Sequence, residues 1–250
     1  MAKKRWKAHE LLVELGLAVD QAQAEALIMS GKVVGYVGEK DWRVAKPGDL
    51  LPPNTGLRLK DGSQFVSRGG DKLMSAVSAL QLETCFEGKH VIDVGSSTGG
   101  FTDCVLRLGA ADVTAIDVGH NQLDWRLRSD PRVSSIEGTH ICDFSKSAPS
   151  KFDWVLADLS FVGLESVLDC LIALAMPEGQ LLLLVKPQFE LPVGEVPSGG
   201  VVVDHVARKK AIASVCNAMA NRGMTVVRTV DSGLSGRTGN QETFVLAKRS

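Results

Sequence analysis

The sequence predicts an α/β protein in which a small α/β module precedes a doubly wound, mainly parallel sheet. Three observations support this fold. From Lys89 onward, apolar runs alternate with stretches of helical periodicity. The last two apolar runs are joined by GLSGRTGNQE, which is too short for a crossover helix and therefore predicts an antiparallel final pair. Residues 1–60 differ from the rest, since two helical stretches are followed there by a short strand-like run.

Seven strands are predicted in the larger part of the chain, and in order they are HVIDVG, DVTAIDVG, RVSSIEG, FDWVLADLS, QLLLLVKP, MTVVRTVDS and TFVLAKR. The first of these are continuous apolar runs, which are typical of parallel strands covered on both faces. The run LIALAMPEGQLLLLVKP is interrupted by Pro177, Glu178 and Gly179, so it predicts a helix, a turn and a buried strand. It is too short to span a bilayer, and we predict no membrane partner.

The length of 250 residues allows one large domain and a small appendage. We predict a first domain over residues 1–60, a linker over 61–68 and a second domain over 69–250. The first domain holds ten basic and seven acidic residues, whereas the whole chain has a net charge of −1. This balance argues against an unspecific nucleic-acid binder, although a small basic excess lies on the first domain.

Cysteine and histidine spacing gives no sign of a metal site. The five cysteines are scattered without a CxxC pair, which predicts packing roles and a reducing compartment; they are Cys85, Cys104, Cys142, Cys170 and Cys216. The five histidines lack the spacing of metal ligands, so no metal is expected. The basic N-terminus is not followed by an apolar segment, so we predict no signal peptide and a cytoplasmic protein.

The stretch VIDVGSSTGGFTDCVLRLGAADVTAIDVG, from Val91 to Gly119, predicts a ligand site. In a doubly wound sheet, ligands bind at the carboxyl ends of the strands. The loop GSSTGG has Ser97 where a dinucleotide fingerprint needs its second glycine, and no Gly-Lys-Ser/Thr of a P-loop follows. The ligand is therefore predicted to lack phosphate groups.

Acidic residues lie at or just beyond the ends of the first three predicted strands. Asp117 could grip both hydroxyls of a ribose, Asp143 could accept from an adenine amino group, and Asp93 could face an ammonium. Together these groups describe S-adenosyl-L-methionine (SAM), although single aspartates of this kind also cap helices or close turns. The predicted SAM-binding residues are Asp93, Gly95, Ser97, Thr98, Gly99, Gly100, Phe101, Asp117, Val118, Asp143 and Asp158.

Five motifs in order closely resemble the TlyA family: SRGGDKL, DVGSSTGGFTDCVLRLGA, DVGHNQLDWRLRSDPRV, ADLSF and VKPQFE. These proteins are FtsJ-like SAM-dependent methyltransferases with an N-terminal S4 RNA-binding domain, and they often carry the name haemolysin. The resemblance covers nearly the whole chain. It implies a class I methyltransferase fold, methylation of ribose 2′-hydroxyls of cytidines in rRNA, and rRNA or ribosomal subunits as partners.

The resemblance also implies a catalytic tetrad of two lysines and two carboxylates, which by motif falls on Lys72, Asp158, Lys186 and Glu242. The residue types suit the reaction. A ribose hydroxyl is a very weak acid, and a lysine that lies beside another cation in a dry pocket loses proton affinity and can act as a base. Lys186 is the predicted base, because it directly follows a buried strand. Asp158 and Glu242 would orient the lysines, and Lys72 would hold the hydroxyl or a phosphate.

The sequence departs from the family pattern in two places. The S4 signature normally opens Arg-Leu-Asp and later has Ser-Arg, whereas this chain has Lys7-Ala8-His9 and Asp20-Gln21. After the third strand of the sheet, residues 138–142 lack the arginines of the usual Arg-Thr-Asn-x-Arg. Since RNA affinity depends largely on phosphate contacts, a methyltransferase with a different substrate is an alternative.

Two alternatives lie outside this enzyme class. A pore-forming toxin would need a membrane-active segment, and a cofactor-free RNA-binding module would not need the tetrad. Two further features bear on the substrate. Phe161 and Phe189, each directly after a catalytic motif, are candidate substrate contacts. The stretch GEVPSGGVVVDHVARKK is predicted to be a substrate flap that leads into a helix capped by Asp204.

Overall fold

The computed structural model describes residues 5–38, 40–59, 64–148, 151–236 and 238–249. The chain divides into two compact units, Met1–Gly62 and Ser63–Ser250. Part of the predicted linker, residues 61–63, lies outside the described residues. The rest of it leads into a helix that begins at Arg68.

The first unit consists of two helices and a three-stranded antiparallel sheet in the order β2-β1-β3. Its elements are α1 (Ala8–Glu14), α2 (Gln21–Met29), β1 (Val33–Val37), β2 (Lys40–Arg43) and β3 (Gly56–Leu59). Asp20 stands at the N-cap of α2, where its carboxylate accepts a hydrogen bond from the Gln23 N–H at 2.8 Å. The acid that replaces the usual serine of the S4 signature thus has a local capping role.

The second unit is a seven-stranded sheet in the order β6-β5-β4-β7-β8-β10-β9, with helices on both faces. The strands are β4 (His90–Val94), β5 (Asp112–Ile116), β6 (Val133–Ile136), β7 (Phe152–Ala157), β8 (Ala175–Val185), β9 (Met224–Asp231) and β10 (Thr243–Arg249). The helices are α3 (Arg68–Leu80), α4 (Gly100–Arg107), α5 (Trp125–Arg128), α6 (Ile141–Ser147), α7 (Leu168–Leu174), α8 (Pro187–Glu190) and α9 (His205–Ala220). All seven predicted strands are present, and the predicted fold class is confirmed.

The pairing of the strands follows the prediction. Strands β4 to β8 pair in parallel, and β10 runs antiparallel to both β8 and β9. Successive residues of the central strands enter different cores, since Val91 packs with α3 and α4 whereas Ile92 packs with α6, α7 and α9. Burial on both faces explains why these strands are continuous apolar runs.

Two expectations are wrong. The turn expected at Pro177–Gly179 lies inside β8, because Phe152 pairs with Ala175 and Trp154 with Gln180, so that the extra residues form a bulge. The cysteines are not all packing residues, since Cys142 of α6 and Cys170 of α7 form a disulfide across 28 residues of sequence. Their Cα atoms lie 5.1 Å apart because the two helices pack side by side, which no local spacing indicates.

Candidate active site

A cavity of about 610 Å³ opens at the carboxyl ends of the parallel strands β4, β5 and β7. This volume lies within the range of pockets that hold small ligands and cofactors. The residues that line it come from four strand ends: Val94, Gly95, Ser97, Ile116, Asp117, Val118, Gly119, Gln122, Thr139, His140, Ile141, Asp158, Leu159, Ser160, Phe161, Val162 and Val167. The ligand site predicted at this edge of the sheet therefore coincides with a real cavity.

The glycine loop after β4 forms one wall of the cavity. Gly95 has φ +78°, and a Cβ atom there would lie 2.8 Å from the carbonyl oxygen of Asp158, so only glycine lets the two strand ends approach this closely. Gly99, with φ +91°, begins α4 as its N-cap. The tight packing of the loop shapes a concave surface that side chains would otherwise fill.

Asp117 joins this loop to the end of β5. Its Oδ2 accepts a hydrogen bond from the Ser97 N–H at 2.8 Å, and its Oδ1 accepts one from the Gly119 N–H at 2.7 Å. Each carboxylate oxygen retains a second lone pair, and the side chain is half-buried at the cavity wall. Asp117 is therefore held in one orientation and can still accept hydrogen bonds from a ribose.

Asp93 is not at the cavity surface. It is 1% exposed, and its Oδ2 accepts hydrogen bonds from the N–H and the hydroxyl of Thr102 at 3.0 and 2.7 Å. Its Oδ1 is buried and accepts no hydrogen bond from the described residues. The carboxyl thus fixes the start of α4 from beneath the glycine loop, a different position from the one expected of an ammonium ligand.

Of the other predicted cofactor residues, some line the cavity and others do not. Val118 lines the cavity, whereas Thr98, Gly99 and Gly100 shape the loop without lining it. Phe101 belongs to the core, where its ring centroid lies 5.9 Å from that of Phe244. Asp143 is also absent from the cavity wall, because its exposed side chain turns toward Lys146 of the same helix, 3.2 Å away.

Four buried or half-buried charges meet beside this cavity as two ion pairs. Lys72 Nζ of α3 lies 2.5 Å from Glu242 Oε2, and Lys186 Nζ lies 2.6 Å from Asp158 Oδ1. The second contact lacks the alignment of a hydrogen bond, and Lys186 donates instead to Ser160 Oγ at 2.9 Å. Two pairs of opposite charges leave the group electrically neutral, which limits the free-energy cost of burial.

The sheet itself brings the two pairs together. Thr243 is directly opposite Val185 in the antiparallel β8–β10 ladder, so Glu242, just before Thr243, and Lys186, just after Val185, leave the sheet side by side. Asp158 follows β7, the parallel neighbour of β8, and its N–H bonds the Val94 carbonyl of β4. All four residues predicted from motifs therefore lie at one edge of the sheet.

Sequence reasoning missed several residues of the site. Ser160 is part of the quoted ADLSF motif, yet its hydrogen bond to Lys186 was not anticipated. Thr139 and His140 line the cavity just beyond the end of β6, and Gln122 does so from the segment after β5. Thr139 and His140 follow the end of a strand, as Asp117 does, so the same sequence pattern could have identified them.

The burial of Asp93 leads us to expect that folding stability depends on pH. Burial raises the pKa of its carboxyl from 3.8 to about 7. Between about pH 4 and pH 7 the unfolded chain therefore loses this proton while the folded chain keeps it, so folding stability falls as pH rises through this window. The variant Asp93→Asn cannot ionise but still offers an oxygen to Thr102. We expect its free energy of unfolding to exceed that of the wild type by an amount that grows from pH 4 to pH 7, to roughly 4 kcal/mol at most.

Urea denaturation at pH 4.5 and at pH 7.5 tests this expectation. Asp143→Asn is the matched control, because Asp143 is exposed and its variant should show no such difference between the two pH values. If Asp93→Asn changed the free energy of unfolding by the same amount at both pH values, the raised pKa of Asp93 would be wrong.

Fold and site together define a class I SAM-dependent methyltransferase, with a glycine loop after the first strand, an acid after the second and an antiparallel β10 between β8 and β9. A family model described as FtsJ-like methyltransferase matches residues 65–249. The chain belongs to the FtsJ-like methyltransferase family, and within it to the TlyA proteins.

Two curated relatives and one solved structure illustrate the similarity. The 16S/23S rRNA (cytidine-2′-O)-methyltransferase TlyA of Mycobacterium tuberculosis is 38% identical over 245 residues, which cover 97% of this chain and 89% of the relative. Hemolysin A of Brachyspira hyodysenteriae is 32% identical over 232 residues, which cover 91% and 93%. A solved structure from Streptococcus thermophilus, of a protein that carries a hemolysin name, has a TM-score of 0.73 at 33% identity and covers 100% of this chain and 90% of its own.

Proposed function

We propose that this protein transfers the methyl group of SAM to the 2′-hydroxyl of a cytidine ribose in rRNA, in the cytoplasm. The observation that carries the proposal is the pair of lysine–carboxylate contacts, Lys72–Glu242 and Lys186–Asp158, beside the cavity that holds Asp117. A buried carboxylate beside a lysine can accept its proton, which leaves a neutral amine to activate a weakly acidic hydroxyl. The relative from Mycobacterium tuberculosis is named for this reaction.

The residues of the cavity have separate parts in this proposal. Bound SAM supplies a methyl group on a positively charged sulfur. Asp117 would accept hydrogen bonds from the ribose of SAM, and the loop from Gly95 to Gly100 would cradle its amino-acid end. His140 and Ile141, which line the cavity, would contact its adenine. Asp143 does not take part, because it lies away from the cavity.

The tetrad acts on the RNA hydroxyl. Lys186, oriented by Asp158 and Ser160, would first pass its ammonium proton to Asp158, 2.6 Å away, and its neutral amine would then take the hydroxyl proton as the oxygen bonds to the methyl carbon and the carbon–sulfur bond breaks. Lys72, oriented by Glu242, holds the oxygen or an adjacent phosphate. Most of the rate advantage comes from alignment, because transfer requires oxygen, carbon and sulfur in a line.

An exposed aromatic residue favours a nucleotide substrate. Phe161 is 93% exposed although it lines the cavity, and its ring centroid lies 5.7 Å from that of Phe189. Single-stranded or flipped-out bases stack on aromatic rings of this kind. We propose that Phe161 stacks on the target base or its neighbour, and that the first unit supplies the contacts to the rest of the RNA.

The hemolysin names among the relatives suggest a different activity. A pore would need a segment that enters the membrane. Within the part of the chain that the structure describes, none of the helices has the length and apolar character that a bilayer-spanning helix needs. The buried tetrad, in contrast, fits methyl transfer to a hydroxyl, so we retain the methyltransferase proposal.

The proposal is tested by incubating the protein with methyl-labelled SAM and purified, unmethylated small or large ribosomal subunits. We expect label in 16S or 23S rRNA, recovered after nuclease digestion as 2′-O-methylcytidine, and a much slower gain of label with Lys186→Ala. A cell extract depleted of ribosomes serves as the second substrate. Label on a nucleobase, or label only in the small molecules of that extract, would contradict the proposed substrate.

A further inference from the structure

Glu190, the last residue of α8, connects two segments of the active site. Its Oε1 and Oε2 each lie 3.1 Å from the Leu164 N–H and share this hydrogen bond. Leu164 begins the short 3-10 helix Leu164–Val167, so the carboxylate caps the start of that helix from 26 residues away in sequence. No motif argument assigned a role to Glu190.

The two segments are those that carry Asp158 and Lys186. Residues 158–164, here called the β7 loop, contain Asp158, Ser160 and Phe161. Residues 186–190, here called the β8 turn, contain Lys186 and Glu190. At one end the two segments meet through the contacts of Lys186 with Asp158 and Ser160. At the other end they meet through the hydrogen bond from the Leu164 N–H to Glu190. Glu190 is therefore the second residue that holds the β7 loop against the β8 turn.

The β7 loop needs such a fastening because it contains strained backbone. Phe161 has φ +69°, a left-handed conformation that a bulky L-residue keeps only when its surroundings hold it there. This conformation projects the exposed Phe161 ring at the cavity. Between the strained residue and the cap lie only Val162 and Gly163, so the capped Leu164 N–H restrains the turn directly.

The close approach of the two segments depends on Gly163. A Cβ atom at this position would lie 3.0 Å from the Phe189 carbonyl oxygen and 3.3 Å from Glu190 Oε2. A larger residue would force the Phe189 carbonyl or the Glu190 carboxylate to shift by a few tenths of an ångström. Gly163 and Glu190 thus pack against each other, although they lie in different segments of the sequence.

We infer that Glu190 is a positioning residue for methyl transfer, which fastens the β7 loop to the β8 turn so that Asp158 and Ser160 meet Lys186 and the Phe161 ring faces the substrate. It touches neither of the catalytic lysines in the described contacts, so it acts through the loop. The activity arm of this inference rests on the proposed function, whereas its stability arm does not.

The environment of Glu190 indicates that the acceptor oxygen matters more than the charge. Burial raises the pKa of this carboxyl to about 7, against the lowering effect of the Leu164 N–H, and the neighbouring Glu165 raises it further. A carboxyl that is half protonated near neutral pH still has a carbonyl oxygen to accept from Leu164. An amide should therefore replace it, and alanine should not.

The activity arm compares Glu190→Ala, Glu190→Gln and the matched control Glu165→Gln, which changes an exposed acid of the adjacent helix. In single turnover at saturating SAM and ribosomal subunits, we expect Glu190→Ala to lose about 10- to 10²-fold in rate. Glu190→Gln and Glu165→Gln should stay within about 3-fold of the wild type. In the first variant the amide oxygen accepts from the Leu164 N–H, and in the second Glu190 itself still does. The dissociation constant for SAM should change less than the rate in every variant.

The stability arm needs no RNA substrate. Glycine adopts the left-handed conformation freely, so Phe161→Gly removes the strain that Glu190 is inferred to hold. The loss of melting temperature caused by Glu190→Ala should therefore be smaller in the Phe161→Gly background than in the wild type. Gly163→Ala, which crowds the Phe189 carbonyl oxygen and Glu190 Oε2, should also lower the melting temperature.

Each outcome decides the inference. Additive melting-temperature losses, a full rate in Glu190→Ala, or a Glu190→Gln as slow as Glu190→Ala would overturn it, even where the wild type methylates rRNA. If the wild type methylates no subunit, the proposed function fails, and the coupling between Phe161 and Glu190 still decides whether Glu190 fastens the loop. If Glu190→Ala does not fold, Glu190→Gln and Gly163→Ala provide the comparison.

Discussion

Lys186→Ala is expected to slow methyl transfer by about 10²- to 10⁴-fold, the usual loss when a positioned base is removed. Binding of SAM should be nearly unchanged, because Lys186 is absent from the lining of the cofactor cavity. The lysine is 8% exposed and is fixed by Asp158 and Ser160, so its replacement leaves no other described amine in the same place. Single-turnover transfer to ribosomal subunits measures the first effect, and isothermal calorimetry with SAM the second.

Lys186→Arg separates a base from a fixed positive charge. A guanidinium keeps its proton in proteins, so the arginine variant should be nearly as slow as the alanine variant. Lys146→Ala is the matched control, since Lys146 is an exposed lysine paired with Asp143 and should transfer at the wild-type rate. If Lys186→Arg kept the wild-type rate and pH profile, Lys186 would act by charge alone, and the proposed proton transfer would be wrong.

Asp117→Ala is expected to weaken SAM binding by about 10²-fold, since hydrogen bonds to a charged carboxylate contribute about 1.5–3 kcal/mol each. Both oxygens of Asp117 also hold backbone N–H groups of Ser97 and Gly119, so the variant loses ligand contacts and the shape of the loop together. Calorimetry with SAM gives the dissociation constants directly.

Asp143→Ala provides the comparison for this measurement. The sequence predicted a contact from Asp143 to adenine, whereas the structure has its side chain exposed and paired with Lys146 outside the cavity. The variant should bind SAM as tightly as the wild type. Equal losses of affinity in Asp117→Ala and Asp143→Ala would mean that the helix carrying Asp143 reorients toward the cofactor.

Much of the second unit could be predicted because its signals are local. The central parallel strands are mainly apolar runs, and each is followed by polar or glycine residues at the edge where ligands bind. The antiparallel β10 followed from a connection too short for a crossover. The bulge in β8 could not be predicted, because it depends on how β8 pairs with Phe152 and Trp154 of the neighbouring strand β7.

By itself, the sequence determined the fold class and the glycine loop, because periodicity and motifs are carried by neighbouring residues, whereas the tetrad was predicted from the resemblance to the TlyA family. Only the tertiary structure decided which of these residues meet. In the folded chain, Lys72 contacts Glu242 across 170 residues of sequence, and Cys142 is bonded to Cys170. Asp93 is buried beneath the glycine loop, whereas Asp143 is exposed outside the cavity. Burial and side-chain direction depend on the packing of distant elements, and a pattern along the chain contains no record of that packing.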